Sequence, residues 1–331
     1  MRVGLIGYGA WGSHHARVIG EHLVAIAARS EATVAKARAE HPAARVFTDY
    51  RELLTHDLDA VVVVLPSHLH HDASKRVLES GRHLLLEKPM ALTVEQCDEL
   101  LALANAKQRV LAIGHEMRLS SLWGKVKELL QDGAIGEPRY MLIELWRRPY
   151  RLGADGWRYD IGRVGNWILE EPIHFFDLAR WYFDASPVSV FARANGKRLD
   201  RPELHDHFSA VVDFPDGRYA VISQCLGGWE HHQTVKISGR EGSLWASWSG
   251  ANDRTFEPTF SLRLMRGETI TDVPIARAAG EVYELETQFA RFIDAIQGGA
   301  PPAATGADGR WAVAMCLKAE ESARVKERAF F

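Results

Sequence analysis

MRVGLIGYGAWGSHHARV, residues 1–18, is the stretch that decides the fold. Val3–Ile6 is a short continuous apolar run, the mark of a strand buried on both faces. It leads straight into Gly7-Tyr8-Gly9-Ala10-Trp11-Gly12, a GxGxxG loop that opens a helical stretch. Glycine there permits a tight turn and close backbone approach to a pyrophosphate, whose charge is favoured at a helix N-terminus. The motif alone also occurs in plain turns; its place between a strand and a helix makes it informative. Gly7, Tyr8, Gly9, Ala10 and Trp11 are therefore read as contacts of a bound dinucleotide.

The same texture continues to about residue 118. Apolar runs at Leu23–Ala28, Ala60–Leu65, His83–Leu86 and Val110–Gly114 alternate with amphipathic segments such as Glu31–Glu40 and Val94–Lys107. This alternation predicts a doubly wound parallel sheet, an α/β domain over 1–118. Past about residue 135 the runs shorten their period to two, as in PRYMLIELWRR and HDHFSAVVDF. Turn signals at Pro215–Gly217 and Gly239–Gly242 separate such runs and predict hairpins of an antiparallel sheet, giving a second α+β domain over 119–307. Helical patterns lie at about Pro172–Phe183, Glu281–Gln297 and Arg310–Glu327, and the last, about 308–328, is expected to pack back on the first domain.

The 331 residues suffice for two ordinary cores, and 25% charged residues with a net charge of −3 offer nucleic acid or anionic membranes no general attraction. No apolar run reaches the roughly 20 residues of a bilayer span, and no signal-peptide pattern precedes the first strand. Cys97, Cys225 and Cys316 are far apart and form no CxxC pair, so they are read as reduced thiols of a cytoplasmic protein.

Three further stretches follow apolar strands, where a doubly wound sheet holds its ligand. The second strand ends at Ala28-Arg29-Ser30. An NAD-selective site commonly has Asp or Glu here for the ribose 2′-hydroxyl, whereas Arg29 with Ser30 suits a 2′-phosphate; NADP is favoured and NAD is possible. Leu65-Pro66-Ser67-His68-Leu69-His70 and Glu87-Lys88-Pro89 are the other two, giving Leu65, Pro66, His70, Glu87 and Lys88 as cofactor candidates. His68, His70 and His71 lack a carboxylate or cysteine at metal-ligand spacing, and a plain loop accounts for them better.

GLIGYGAWG, LPSHLHHDAS, LLLEKPMALT, IGHEMR at Ile113–Arg118 and ILEEPIHFFDLARW occur in the order seen in the glucose–fructose oxidoreductase / inositol dehydrogenase (Gfo/Idh/MocA) family, which the chain resembles over nearly its whole length. The resemblance implies an N-terminal Rossmann domain and a C-terminal domain with an open, mostly antiparallel sheet. It implies that a nicotinamide lies over that sheet, where sugars or cyclitols are oxidised or reduced. Lys88 matches the family's EKP lysine, and His174 its catalytic histidine. Where the family has an aspartate four residues before that histidine, this chain has Glu170, one methylene longer. Glu116 stands where many members carry an amide or other polar residue near the nicotinamide.

Histidine suits the base that takes a hydroxyl proton, because its unperturbed pKa of about 6.5 lies near working pH. The catalytic candidates are accordingly His174, Lys88 polarising or hydrogen-bonding the same oxygen and relaying its proton, and Glu170 anchoring a neighbouring hydroxyl or orienting Lys88. Pro172 favours the first turn of a helix, which leaves Glu171 near its cap and sets His174 and Asp177 on roughly one side. That arrangement completes no four-ligand site, and no metal is expected. Arg118, Trp157, Arg158 and Glu171 join His174 as substrate candidates, the aromatic faces suiting sugar C–H faces and the arginines an anionic group. The arginine-rich stretch 146–167 reads equally as a solvated loop or subunit interface. Hydride transfer to or from a secondary hydroxyl of a sugar, cyclitol or sugar derivative is the first reading. Glycoside cleavage by transient oxidation and elimination would use the same residues, and a non-catalytic cofactor sensor is the alternative that the presence of both Lys88 and His174 argues against. A homo-oligomer, dimer or tetramer, is expected.

Overall fold

A computed structural model describes residues 1–196, 203–252 and 254–331. It divides into two compact units: Met1–His115 with Leu285–Arg310, and Glu116–Glu284 with Trp311–Phe331.

The first unit runs β1 (Val3–Ile6), α1 (Ala10–Ile19), β2 (Leu23–Ala27), α2 (Glu31–Glu40), β3 (Arg45–Phe47), α3 (Tyr50–Leu53), β4 (Ala60–Val63), α4 (His70–Glu79), β5 (His83–Glu87), α5 (Val94–Lys107) and β6 (Leu111–Gly114). Its sheet has the order β3-β2-β1-β4-β5-β6, every neighbouring pair parallel. All four residues of β1 and of β4 are buried, as continuous apolar strands covered on both faces must be. The order reverses between β1 and β4, where open α/β sheets bind their ligands beyond the strand ends.

The second unit contains α6 (Trp123–Gln131), β7 (Pro138–Trp146), α7 (Ile161–Val164), α8 (Pro172–Phe183), β8 (Ser189–Asn195), β9 (His207–Asp213), β10 (Tyr219–Cys225), β11 (His231–Gly239), β12 (Gly242–Gly250), β13 (Thr259–Arg266) and β14 (Thr269–Asp272). Two long helices follow, α9 (Glu281–Ile296) and α10 (Gly306–Val325), and then β15 (Ala329–Phe330). The sheet order is β14-β13-β12-β11-β7-β10-β9-β8-β15, antiparallel except for the β7–β10 pair. The two turn signals join β9 to β10 and β11 to β12, both antiparallel hairpins. Met141, Ile143 and Leu145 of β7 face inward, as do Ala220 and Ile222 of β10; the alternate residues form the sheet's other face.

The segment of about 308–328 expected to pack on the first domain is divided between the two units, its residues up to Arg310 falling in the first, where Arg310 pairs with Asp98. The compact division assigns Trp311–Phe331 to the second unit, where Glu320 accepts from Asn166 and Ser322 Oγ accepts from the Ala192 amide. From Leu285 onward α9 also joins the first unit, with Phe289 and Phe292 in the cluster around Leu5 and Val62. The α10 pattern shows an apolar face but not which core it meets. Among the described residues no helix is long and apolar enough to cross a membrane.

Candidate active site

In the first unit the glycine loop is shaped by three different demands. Gly7 has φ +100°, and a Cβ there would stand 2.0 Å from the Val64 carbonyl oxygen. A Cβ on Gly12 would stand 2.0 Å from the Gly7 carbonyl oxygen, so only glycine lets α1 approach the loop. Gly9, the N-cap residue of α1, is different: a Cβ there meets nothing within 4 Å. Its backbone therefore faces open space at the N-terminus of a ten-residue helix, which fits the pyrophosphate of a dinucleotide. Ala10 and Trp11 open that helix, and the Trp11 ring meets those of His14 and His15.

Several of the neighbouring cofactor candidates brace this loop. The Tyr8 hydroxyl donates to Glu40 at 2.5 Å and its ring is buried edge-on against His41. Glu87 is buried with His15 Nε2 2.7 Å from its Oε1, tying the end of β5 to α1. Burial pushes the Glu87 carboxyl up, but His15, Lys88 and the Trp11 indole together outweigh it and hold the group below the usual carboxylate range. A Cβ on Gly114 would press within 2.9 Å of this carboxylate, so β6 also makes room for it. His70 is buried with Nδ1 2.6 Å from the Pro89 carbonyl and Nε2 2.8 Å from that of Leu65. It thus clips the Leu65-Pro66 loop to the Lys88-Pro89 loop, whose peptide bond is cis. Burial pulls the His70 pKa below its ordinary value. Lys88 is half-buried. Arg29 is exposed, while Ser30 caps α2, its Oγ accepting from the Thr33 amide at 3.2 Å. The serine hydroxyl is thereby committed to the helix, and the cofactor expectation there falls mainly on Arg29.

In the second unit the catalytic candidates lie at the start of α8. Pro172 stands in its first turn, where a missing N–H costs nothing. His174 follows, 2% exposed, its amide donating to the Glu171 carbonyl at 3.0 Å. His174 Nε2 lies 3.7 Å from Glu116 Oε1, so a buried carboxylate faces the imidazole. Glu170 accepts from Arg158 Nε at 2.8 Å, so this unit supplies the longer side chain with a guanidinium partner of its own.

Three of the expected substrate contacts have internal partners. Glu171 faces inward into a buried ionic cluster: it pairs with Arg147, lies 2.6 Å from His231 Nε2, and accepts from Gln233 Nε2 at 3.1 Å. Burial alone would push its carboxyl up; the charges of His231 and Arg147 and their hydrogen bonds hold it well below the usual range. Arg118 is likewise buried, donating through Nε and Nη2 to both oxygens of Asp177 at 2.7 and 2.6 Å, with its guanidinium over Trp181. Trp157 packs in a core cluster with Tyr150, Val164 and Trp167, and Arg158 lies over its ring at 4.4 Å. In each case the residue type that suits a ligand suits an internal partner as well, and for Glu171 and Arg118 that partner sits on another element.

Residues not singled out from sequence lie beside these groups. His231 and Gln233 come from inward positions of β11, where alternation predicts apolar side chains; polar residues at such positions are the signal available. Glu284, at the start of α9, is buried beside Glu116 in a pocket lined also by Trp123, Gln233, Trp248 and Glu281. Among the described residues no group of three or more His, Cys, Asp or Glu is placed to hold a metal ion.

The turn from β1 to α1 is that of a dinucleotide-binding protein, and comparison with known proteins narrows the class. Residues 1–115 match the model of an oxidoreductase family with an NAD-binding Rossmann fold, and residues 123–245 match the GFO/IDH/MocA C-terminal domain. The chain belongs to the Gfo/Idh/MocA family of oxidoreductases. Among its relatives, 1,5-anhydro-D-fructose reductase of Ensifer adhaerens is 27% identical, covering 99% of this chain and 98% of that protein. Inositol 2-dehydrogenase of Rhizobium meliloti (strain 1021) is 28% identical, covering 99% and 98%. The crystal structure of aldose-aldose oxidoreductase from Caulobacter crescentus shares the fold with a TM-score of 0.85 at 21% identity, covering 100% of this chain and 99% of that one.

Proposed function

We propose that this protein transfers a hydride between a nicotinamide dinucleotide and a secondary hydroxyl of a sugar, cyclitol or sugar derivative. The observation that carries the reading is His174, buried on the first turn of α8 with Glu116 Oε1 3.7 Å from its Nε2. A bound nicotinamide supplies the hydride acceptor or donor, and everything else falls to the chain. The backbone around Gly7, Gly9 and Gly12 receives the pyrophosphate at the start of α1. His174 takes the hydroxyl proton as the C–H bond breaks, and Glu116 stabilises the imidazolium that forms, an interaction strengthened by the exclusion of water. Lys88 donates to the same hydroxyl oxygen and polarises it. Glu170, oriented by Arg158, anchors a neighbouring hydroxyl.

NADP is the favoured cofactor, because Arg29 follows β2 where NAD-selective sites carry an acid. The names of the relatives, a reductase of anhydrofructose and an inositol dehydrogenase, support a polyhydroxylated substrate. Trp146, Tyr219 and Trp245 are exposed on one face of the second sheet, which supports a homo-oligomer. The test is a spectroscopic screen of sugars, inositols and sugar acids with NAD and NADP. Reduction of cofactor by at least one secondary alcohol, faster with NADP, is expected; a flat screen in both reaction directions contradicts the reading.

A further inference from the structure

A pocket in the second unit has a composition that hydride transfer does not call for. Glu116, Glu281 and Glu284 all line it, with Gln233 and the indoles of Trp123 and Trp248, and no Lys, Arg or His is among the described residues lining it. Glu281 and Glu284 lie in the first turn of α9, where acids suit the helix dipole. That account leaves out Glu116, which precedes α6, and it does not explain why Glu284 is 3% exposed. Glu284 Oε1 accepts from the Gly280 amide at 3.2 Å, whereas its Oε2 is buried without a hydrogen-bond partner. The Ser120 hydroxyl lies near enough to favour the ionised form without closing a hydrogen bond on Oε2. An unsatisfied buried carboxylate oxygen is expensive unless a donor arrives to meet it.

The other walls agree on the kind of donor. Trp248 spends its indole N–H on the Ala279 carbonyl at 2.8 Å, so its ring rather than a donor remains for a ligand. The amide nitrogen of Gln233 is engaged by Glu171, and the end it has left to offer is the carbonyl oxygen. Carboxylates, an amide oxygen and indole faces together recognise a cation with N–H donors. Glu116 joins this pocket to the proposed base, since it is the residue that faces His174.

We propose that the pocket is a recognition subsite for the ammonium group of an amino-substituted sugar or cyclitol, with Glu284 as its principal ion partner. Its position as a substrate subsite rests on the reading of His174 as the alcohol's base; its preference for a cation does not. Burial pushes the Glu284 carboxyl up to about 7, outweighing the Gly280 amide, the Ser120 hydroxyl and the charge of the exposed Arg277. A bound ammonium group reverses that balance and ionises the carboxyl.

Tryptophan fluorescence gives a readout independent of turnover, because Trp123 and Trp248 wall the pocket. The full chain with excess NADP is titrated at neutral pH with glucosamine, glucose and N-acetylglucosamine. Glucosamine is expected to bind about tenfold or more tightly than the other two, the value of one charge-assisted hydrogen bond. Glu284→Gln, a neutral isostere, is expected to abolish that preference. Failure of the wild type to bind glucosamine, equal binding of all three, or a preference that survives Glu284→Gln overturns the proposal. The wild-type comparison needs no variant. A flat titration beside His174-dependent turnover of a neutral sugar removes the subsite alone, and the converse result removes the catalytic reading alone.

Discussion

Arg118 grips Asp177 through two hydrogen bonds of 2.7 and 2.6 Å, one turn along α8 from His174. Both side chains are nearly inaccessible, at 4% and 2% exposure, so neither charge can fall back on water. The pair fixes the helix that carries the proposed base to the segment that carries Glu116. Removing one partner strands the other: Asp177→Ala or Arg118→Ala should lower unfolding free energy by about 3–5 kcal/mol. Replacing both with apolar residues of similar volume should cost less than either single change. Urea denaturation of the two single variants and the double variant checks this, and simple additivity contradicts it.

The glycines separate folding from binding. Gly7→Ala puts a Cβ 2.0 Å from a carbonyl oxygen at a φ of +100°, so it should destabilise the first unit and shift its thermal midpoint down by several degrees. Gly9→Ala meets no protein atom and should fold with stability within about 1 kcal/mol of wild type. It should nevertheless weaken dinucleotide binding about tenfold or more, because the new methyl occupies the space of the pyrophosphate. Calorimetric binding of NADP and NAD with a parallel melt decides it; Gly9→Ala binding as well as wild type contradicts the assignment.

How much of this was legible in the sequence depends on how local each signal is. The Gly7–Gly12 loop, the Pro172 helix start and the hairpin turns at Pro215–Gly217 and Gly239–Gly242 are written in neighbouring residues, and the structure has each of them. The partners of Glu171 are not local: Arg147 is 24 positions away and His231 is 60. An acid beside a helix start looks the same whether it faces a substrate or a buried guanidinium. Arg118 and Trp157 share that ambiguity. For α10 the amphipathic period is visible, but its core is chosen by a sheet whose last strand, β15, follows the helix.

Glu171 and Glu284 make opposite contributions to stability as pH changes. The folded pKa of Glu171 is held well below its unfolded value near 4.3, so its cluster stabilises the fold above that value and the contribution is lost as pH falls through the folded pKa. Glu171→Gln should therefore flatten the acid limb of a plot of denaturation midpoint against pH. Glu284 has its pKa raised to about 7, so the unfolded state releases its proton first and stability falls as pH climbs from about 4.3 to about 7. The unliganded protein should lose about 3 kcal/mol over that range through this group, and Glu284→Gln should recover it. A midpoint for Glu284→Gln that tracks wild type across the range contradicts this.

The central claim is that His174 moves the proton, and it is tested most directly by pre-steady-state hydride transfer in His174→Gln, with NADP binding measured on the same preparation. Transfer should slow by about 10²–10⁴-fold, the rate should lose the pH dependence of the wild type, and NADP affinity should stay within about twofold. Near-wild-type transfer in His174→Gln, at any pH where the wild type is active, contradicts the account.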